Sequence, residues 1–244
     1  METHHTREDI SKFLIHLTRN SGGNSARDNL ISILKEKEIE ARNFHCLFSP
    51  KLKKLHFTEL LKSKFKTVCF TETPLTQIKN LTKLIANRRI HLKPYGLVFW
   101  KSNLIKYGAT PAIYVNSHGS KVREFLLKQF DIAFEDARSW KALKTIDENH
   151  LELVQYFSSI NVISDRHNFL WEREWRHYGS FKFSYREIVA IIAEDTEEFL
   201  KLCDEKLSAN VARTIRKIPI IHPDWSYEEV IESLSIQIWE SNQS

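Results

Sequence analysis

The sequence predicts an α+β fold: one domain over residues 1–244, with a central mixed or antiparallel sheet of about six strands flanked by helices. Three observations carry that expectation. Short runs of alternating apolar and polar residues are dispersed among segments with three- and four-residue apolar spacing, without a regular strand–helix–strand rhythm. Hydrophobic residues make up 42% and aromatic residues 11% of the chain, enough for a substantial core and too apolar for disorder. Only six glycines and six prolines are present, so no linker-like stretch marks a domain boundary.

Residues 1–10 are polar and charged and read as a flexible terminus. From Ser11 to Thr18 the chain reads as a short strand, with Phe13, Ile15 and Leu17 alternating against Lys12, His16 and Thr18. A turn-rich stretch from Asn20 to Ser25 then leads into a helix capped by Asn24 or Ser25, with Leu30, Ile33 and Leu34 as its inner stripe. Lys66 to Glu72 forms a second strand, ended by Thr73-Pro74 because proline cannot continue a central ladder. Ile78, Leu81, Leu84 and Ile85 give helical spacing from Thr76 to Asn87. Two strands follow, Tyr95 to Lys101 and Ala112 to Asn116, the second preceded by the turn Gly108-Ala109-Thr110-Pro111.

The middle of the chain is helical: Val122, Phe125, Leu126, Ala133, Phe134 and Ala137 form an apolar stripe over about five turns. His150 to Phe157 adds a shorter helix. Alternation returns from Trp171 to Phe183, and Ile188 to Ala193 is an apolar, β-branched run of the kind found in buried strands. Asp195 with Glu198, and Ser226 with Glu229, are capping-box signatures, and Trp225 with Val230 supplies a hydrophobic staple. Pro219 to His222 reads as a short strand between the last two helices.

Composition excludes several classes. The first thirty residues hold no uninterrupted apolar core of a leader, and no stretch approaches the roughly 18 apolar residues of a membrane span, so a cytoplasmic protein is expected. Cys46, Cys69 and Cys203 have neither zinc-type spacing nor a disulfide pattern, and Cys69 in its apolar run reads as a buried free thiol before a nucleophile. There is no phosphate loop and no dinucleotide glycine fingerprint. His167 and His177 lack paired metal spacing, so no metal is expected, and the adjacent Arg166-His167 is a weak nuclease signal. The net charge of +5 permits a phosphate-rich partner. Its excess is clustered at Lys51, Lys53, Lys54, Lys62, Lys64 and Lys66, which read as a solvated helical face or, alternatively, as a nucleic-acid patch.

Three places could carry chemistry. His16 and Thr18 leave their strand on one face and together could hydrogen-bond a sugar or phosphate edge, or be satisfied surface groups. Glu72 ends a hydrophobic strand between Thr71 and Thr73, where sheet proteins present ligand groups or cap a turn. Trp171 to Arg176 is the densest cluster. As a strand it would put Glu172, Glu174 and Arg176 on one face. Two carboxylates so placed repel, which suits one to acid–base work, and either could stabilise a developing cationic sugar. An edge-strand ion-pair ladder with both tryptophans packed as core fits the same residues.

Three segments in order and spacing, Val68 to Leu75, Tyr95 to Lys101 through Tyr107 to Val115, and Trp171-Glu172-Arg173-Glu174-Trp175-Arg176, together resemble the AbiGi family of abortive-infection phage-resistance proteins. That resemblance implies a bacterial anti-phage protein, described in the family as the antitoxin-like partner in a two-component system. His16-Leu17-Thr18 ahead of the helix from Ser25, with a glutamate on a late strand, is similar to ADP-ribosyltransferases. This second resemblance implies NAD as substrate, with His16 and Thr18 on its ribose or adenosine side and Glu174 (or Glu172) stabilising the oxocarbenium-like state. Glu72 and Thr71 would then line the cleft, and Tyr95 or Tyr107 would supply its aromatic wall; Arg176, on the strand face of Glu174, could hold a phosphate or simply lock Glu174 in place. The alternative expectation is a non-enzymatic partner that binds a cognate toxin, or nucleic acid through the lysine cluster.

Overall fold

A computed structural model of the protein describes residues 10–54, 59–83, 91–134, 148–164 and 170–241. Residues 1–9, Leu84, Ile85, Ala137 and the Arg166-His167 pair lie outside the described residues. In chain order the elements are β1 (Phe13–Leu17), α1 (Ala26–Glu36), β2 (Glu38–Ile39), α2 (Ser49–Lys54), α3 (Glu59–Lys64), β3 (Thr67–Thr71), α4 (Ile78–Thr82) and β4 (Tyr95–Trp100). They continue with α5 (Lys101–Lys106), β5 (Thr110–Pro111), β6 (Ile113–Asn116), α6 (Lys121–Ala133), α7 (Glu148–Ser158), β7 (Ile160–Ile163) and β8 (Glu174–Tyr178). The last are β9 (Phe181–Lys182), β10 (Ile188–Ala193), α8 (Thr196–Lys206), α9 (Ala209–Ile215), β11 (Ile220–Ile221) and α10 (Tyr227–Ser241). The class is α+β. None of the described helices is long and apolar enough to cross a membrane.

The chain divides into two compact units, one of residues 1–38, 70–106 and 182–244, the other of residues 39–69 and 107–181. The division falls inside β3, between Cys69 and Phe70. Hydrogen-bonded strand order is β11-β10-β4-β1-β3 through the first unit and β3-β8-β5 through the second, seven strands against the expected number of about six. The pairing is mixed: β10–β11 is parallel, while β1–β3, β1–β4, β4–β10 and β5–β8 are antiparallel.

In the first unit the alternation read from the sequence fixes which face of β1 meets which layer. Ile15 and Leu17 pack with Val98, Ala190, Ile192, Ile221, Leu75, Ile78, Leu81 and Val230. The opposite face of the same strands is buried too, through Leu14, Leu97, Phe99 and Ile191. Ser25 caps α1, its hydroxyl accepting from the Asp28 amide at 3.1 Å, and the buried stripe is Ala26, Leu30, Ile31 and Leu34. Ile31 thus takes the inner place expected of Ile33. Asp195 caps α8 through the Glu198 amide at 2.8 Å, and Ser226 and Glu229 form the expected reciprocal box. The helix expected over Thr76 to Asn87 begins instead as a 3-10 turn, Leu75–Gln77, before the short α4.

Gly96 has a specific steric role. A Cβ at that position would lie 2.3 Å from the His16 carbonyl oxygen, in the β1–β4 ladder where Leu17 faces Gly96. Backbone cannot swing aside as a side-chain tip can. Gly96→Ala should therefore cost at least the upper part of the about 1–3 kcal/mol typical of overpacking. Urea unfolding of the variant checks this, and an unchanged midpoint would contradict it.

In the second unit the core is phenylalanine-rich. Phe48, Phe65, Phe130, Phe134 and Phe157 cluster with Cys46, Leu47, Leu52, Val115, Val154 and Ile160. The stripe expected on the long helix holds in part: Phe134 is buried and Leu126 and Ala133 pack on the same cluster, with Phe130 as a further anchor, but Val122 and Phe125 are each 60% exposed. The strand expected from Ala112 to Asn116 forms as β6, outside the main sheet. Thr110 and Pro111 pair with β8, the Ala112 amide donates to the Glu174 carbonyl at 2.9 Å, and the chain then turns to pair in parallel with β7 from Ile113 onward. One extended segment thus serves two sheets.

Candidate functional site

That split explains the cluster at Glu174. Where residues 110–116 leave β8 for β7, the backbone ladder can no longer join the two sheets. Side chains do so instead. Glu174 accepts from Arg176 Nε at 3.0 Å on one carboxylate oxygen, and from Arg176 Nη2 at 3.1 Å and the Tyr114 hydroxyl at 2.9 Å on the other. The remaining terminal nitrogen, Arg176 Nη1, donates to the Ser158 carbonyl at 2.6 Å. Ser158 is the last residue of α7, so the guanidinium also satisfies one of that helix's terminal carbonyls and complements its dipole. Arg176 is 2% and Glu174 14% exposed.

The strand foreseen from Trp171 is corrected. Leu170–Glu172 form a 3-10 turn, Arg173 adopts a left-handed conformation with φ +45°, and β8 begins only at Glu174. Glu172 therefore does not share a strand face with Glu174. Trp175 is buried, but Trp171 is 43% exposed and is not the core residue the ladder reading required. Tyr107 is exposed, its ring edge-on to Phe181 at 5.7 Å, and His177 packs on the same phenylalanine.

Electrostatics follow from this geometry. Desolvation pushes the Glu174 carboxyl up, but the charge and hydrogen bonds of Arg176, with help from Cys69 and Tyr114, outweigh it and hold the carboxyl below its ordinary value. Arg176 is raised in turn: burial works against its charge, and Glu174 more than offsets that. Burial, then the adjacent carboxylate, push the Tyr114 phenol up. The half-buried Cys69 thiol receives a hydrogen bond from Asn43 at 2.9 Å, yet desolvation first and Glu174 second push it up to about 12. A thiol so shifted carries little thiolate at neutral pH.

A depressed folded-state carboxyl contributes stability that is fully present above the unfolded value of about 4.3 and is lost as pH falls through the lower, folded value. Denaturant midpoints should therefore drop on acidification below about pH 5, and less steeply in Glu174→Gln. Equal slopes in the two proteins would show that Glu174 is not the titrating group.

In the first unit the expected ligand groups are largely committed to the fold. The Thr18 hydroxyl donates within 2.8 Å of the Ala26 carbonyl and lies 3.0 Å from that of Tyr95, and the residue is 4% exposed. It ties the end of β1 to α1 and β4. The turn before α1 closes on itself as well: Asn20 Oδ1 takes the Ala26 amide and Ser25 the Asp28 amide. Those are the donors a phosphate would need. Asp28 adds a negative charge there, held down to about 2 by Lys206 and Ser25.

His16 is half-buried with its ring edge toward Phe70 at 5.9 Å. The Thr71 and Thr73 hydroxyls bond each other at 2.8 Å, and Glu72 is paired with Lys101 at 2.5 Å. The Tyr95 phenol is pushed up mainly by burial. Thr18 and Tyr95 are thus brought together through backbone and hydroxyl, and Glu174 and Arg176 through their side chains.

The lysine cluster is partly neutralised. Lys51 pairs with Asp131 and Lys62 with Glu59, while Lys53 is exposed and Lys64 and Lys66 are half-exposed. The Lys54 side chain lies outside the described residues. Among the described residues no group of three or more His, Cys, Asp or Glu could hold a metal ion. Tyr114, Ser158, Asn43 and Lys101 are the site partners that sequence reasoning missed. Tyr114 and Lys101 lie inside the segments that carried the family resemblance, which was the only available signal. In comparisons with known proteins, the chain matches no family model, no curated protein and no solved structure.

Proposed function

We propose that the protein acts in bacterial anti-phage defence, in the cytoplasm, as a binding partner of antitoxin type rather than as an NAD-consuming enzyme. One observation carries the choice between the two. Both oxygens of the Glu174 carboxylate are engaged by Arg176 and Tyr114, and Arg176 is itself held by the Ser158 carbonyl. A carboxylate committed in this way joins strands; to meet a substrate it would have to give up a buried ion pair, which costs several kcal/mol. The committed Thr18 hydroxyl adds support. The defence setting itself rests on the resemblance to the AbiGi family. A protein partner is favoured over nucleic acid because Lys51 and Lys62 already have acidic partners.

An ADP-ribosyltransferase is the second reading. What favours it is that Glu174 is kept ionised in a nearly dry setting, the charge state an oxocarbenium-like sugar would need. In that reading NAD is the substrate and Glu174 moves from Arg176 to the nicotinamide ribose.

One set of measurements separates the two. The protein is incubated with NAD and with protein, RNA and DNA acceptors, and nicotinamide is quantified. It is also co-expressed with the product of the adjacent gene, and growth and complex stoichiometry are measured. The binding reading expects no nicotinamide above background, and a defined complex that relieves toxicity. Nicotinamide release that Glu174→Gln abolishes at near-parental stability would overturn it in favour of the enzyme. Binding to RNA or DNA that weakens steeply with salt and needs Lys53, Lys64 and Lys66 would move the partner to nucleic acid.

A further inference from the structure

We draw no further inference here: the strongest candidate, the exposed apolar stripe of Val122, Phe125 and Ile132 along α6, carries nothing because nothing in the structure shows what covers it.

Discussion

Arg176→Ala is expected to lower the unfolding free energy by about 3–5 kcal/mol, the range for breaking a buried ion pair from one side. The cost has two physical parts. Glu174, 14% exposed, loses the guanidinium that holds it ionised and is left as a desolvated carboxylate. The Ser158 carbonyl at the end of α7 loses its donor as well. The pH dependence identifies the first part. With Arg176 gone, desolvation raises the Glu174 carboxyl instead of the pair lowering it. A raised carboxyl penalises the fold above its folded value and ceases to do so as it protonates. The deficit of Arg176→Ala should therefore be largest near neutral pH and shrink toward about pH 4. Combining Arg176→Met with Glu174→Leu should recover much of the loss, since apolar replacement of a buried pair is often neutral or better. Recovery stays incomplete because Tyr114 and the Ser158 carbonyl keep no partner. A pH-independent deficit below about 1 kcal/mol would mean that the pair is not the joint between the sheets.

Such a result bears directly on function. If Glu174→Gln and Arg176→Ala lose stability together, and strong coupling appears in the double variant, Glu174 is doing structural work. Loss of an activity at unchanged stability would mark it as a reacting group instead. Stability and nicotinamide release must accordingly be measured on the same protein samples.

What the sequence disclosed is governed by how local the determining physics is. Ser25, Asp195 and Ser226 were legible as caps because each acts on an amide three residues away. The runs at Phe13 to Leu17 and Ile188 to Ala193 were legible because apolar alternation, or its absence, reports burial directly. Glu174 and Arg176 could be paired from sequence, being two residues apart on one strand. Their further partners could not. Tyr114 is 60 residues from Glu174 and Ser158 is 18 from Arg176, and both depend on a segment that divides itself between two sheets.

The α6 stripe is legible in part, through Leu126, Ala133 and Phe134, because apolar spacing gives a face but not its neighbour. Val122 and Phe125 satisfy the helical period as well as Phe130 does, and only the phenylalanine cluster decides which side is inside. Arg173 was missed for a different reason. Nothing in an arginine signals φ +45°, a conformation ordinarily left to glycine or asparagine, so a strand pattern ran through a residue that ends a 3-10 turn.

Phe130→Ala tests the other large contribution and serves as the control for the ion pair. Phe130 is fully buried, stacked on Phe48 with centroids 4.7 Å apart and interplanar angle 10°, and it also meets Phe134, Phe157 and Phe65 at 4.7, 5.7 and 5.9 Å. Truncation removes that ring from four neighbours that are themselves rigid and buried, so the surroundings collapse poorly into the void. The expected loss is about 3–5 kcal/mol, with Phe130→Leu losing visibly less because it refills part of the volume. The ionisable groups Cys46 and Tyr178 that belong to this cluster are both pushed up by burial, away from the acid range. The Phe130→Ala deficit should therefore stay level between about pH 4 and 7, where that of Arg176→Ala changes. Two variants of similar cost and opposite pH behaviour would separate apolar packing from the ionic joint in the same unit. Should Phe130→Ala also vary with pH, the two contributions are coupled, and the deficit of Arg176→Ala could no longer be assigned to the Glu174 carboxylate alone.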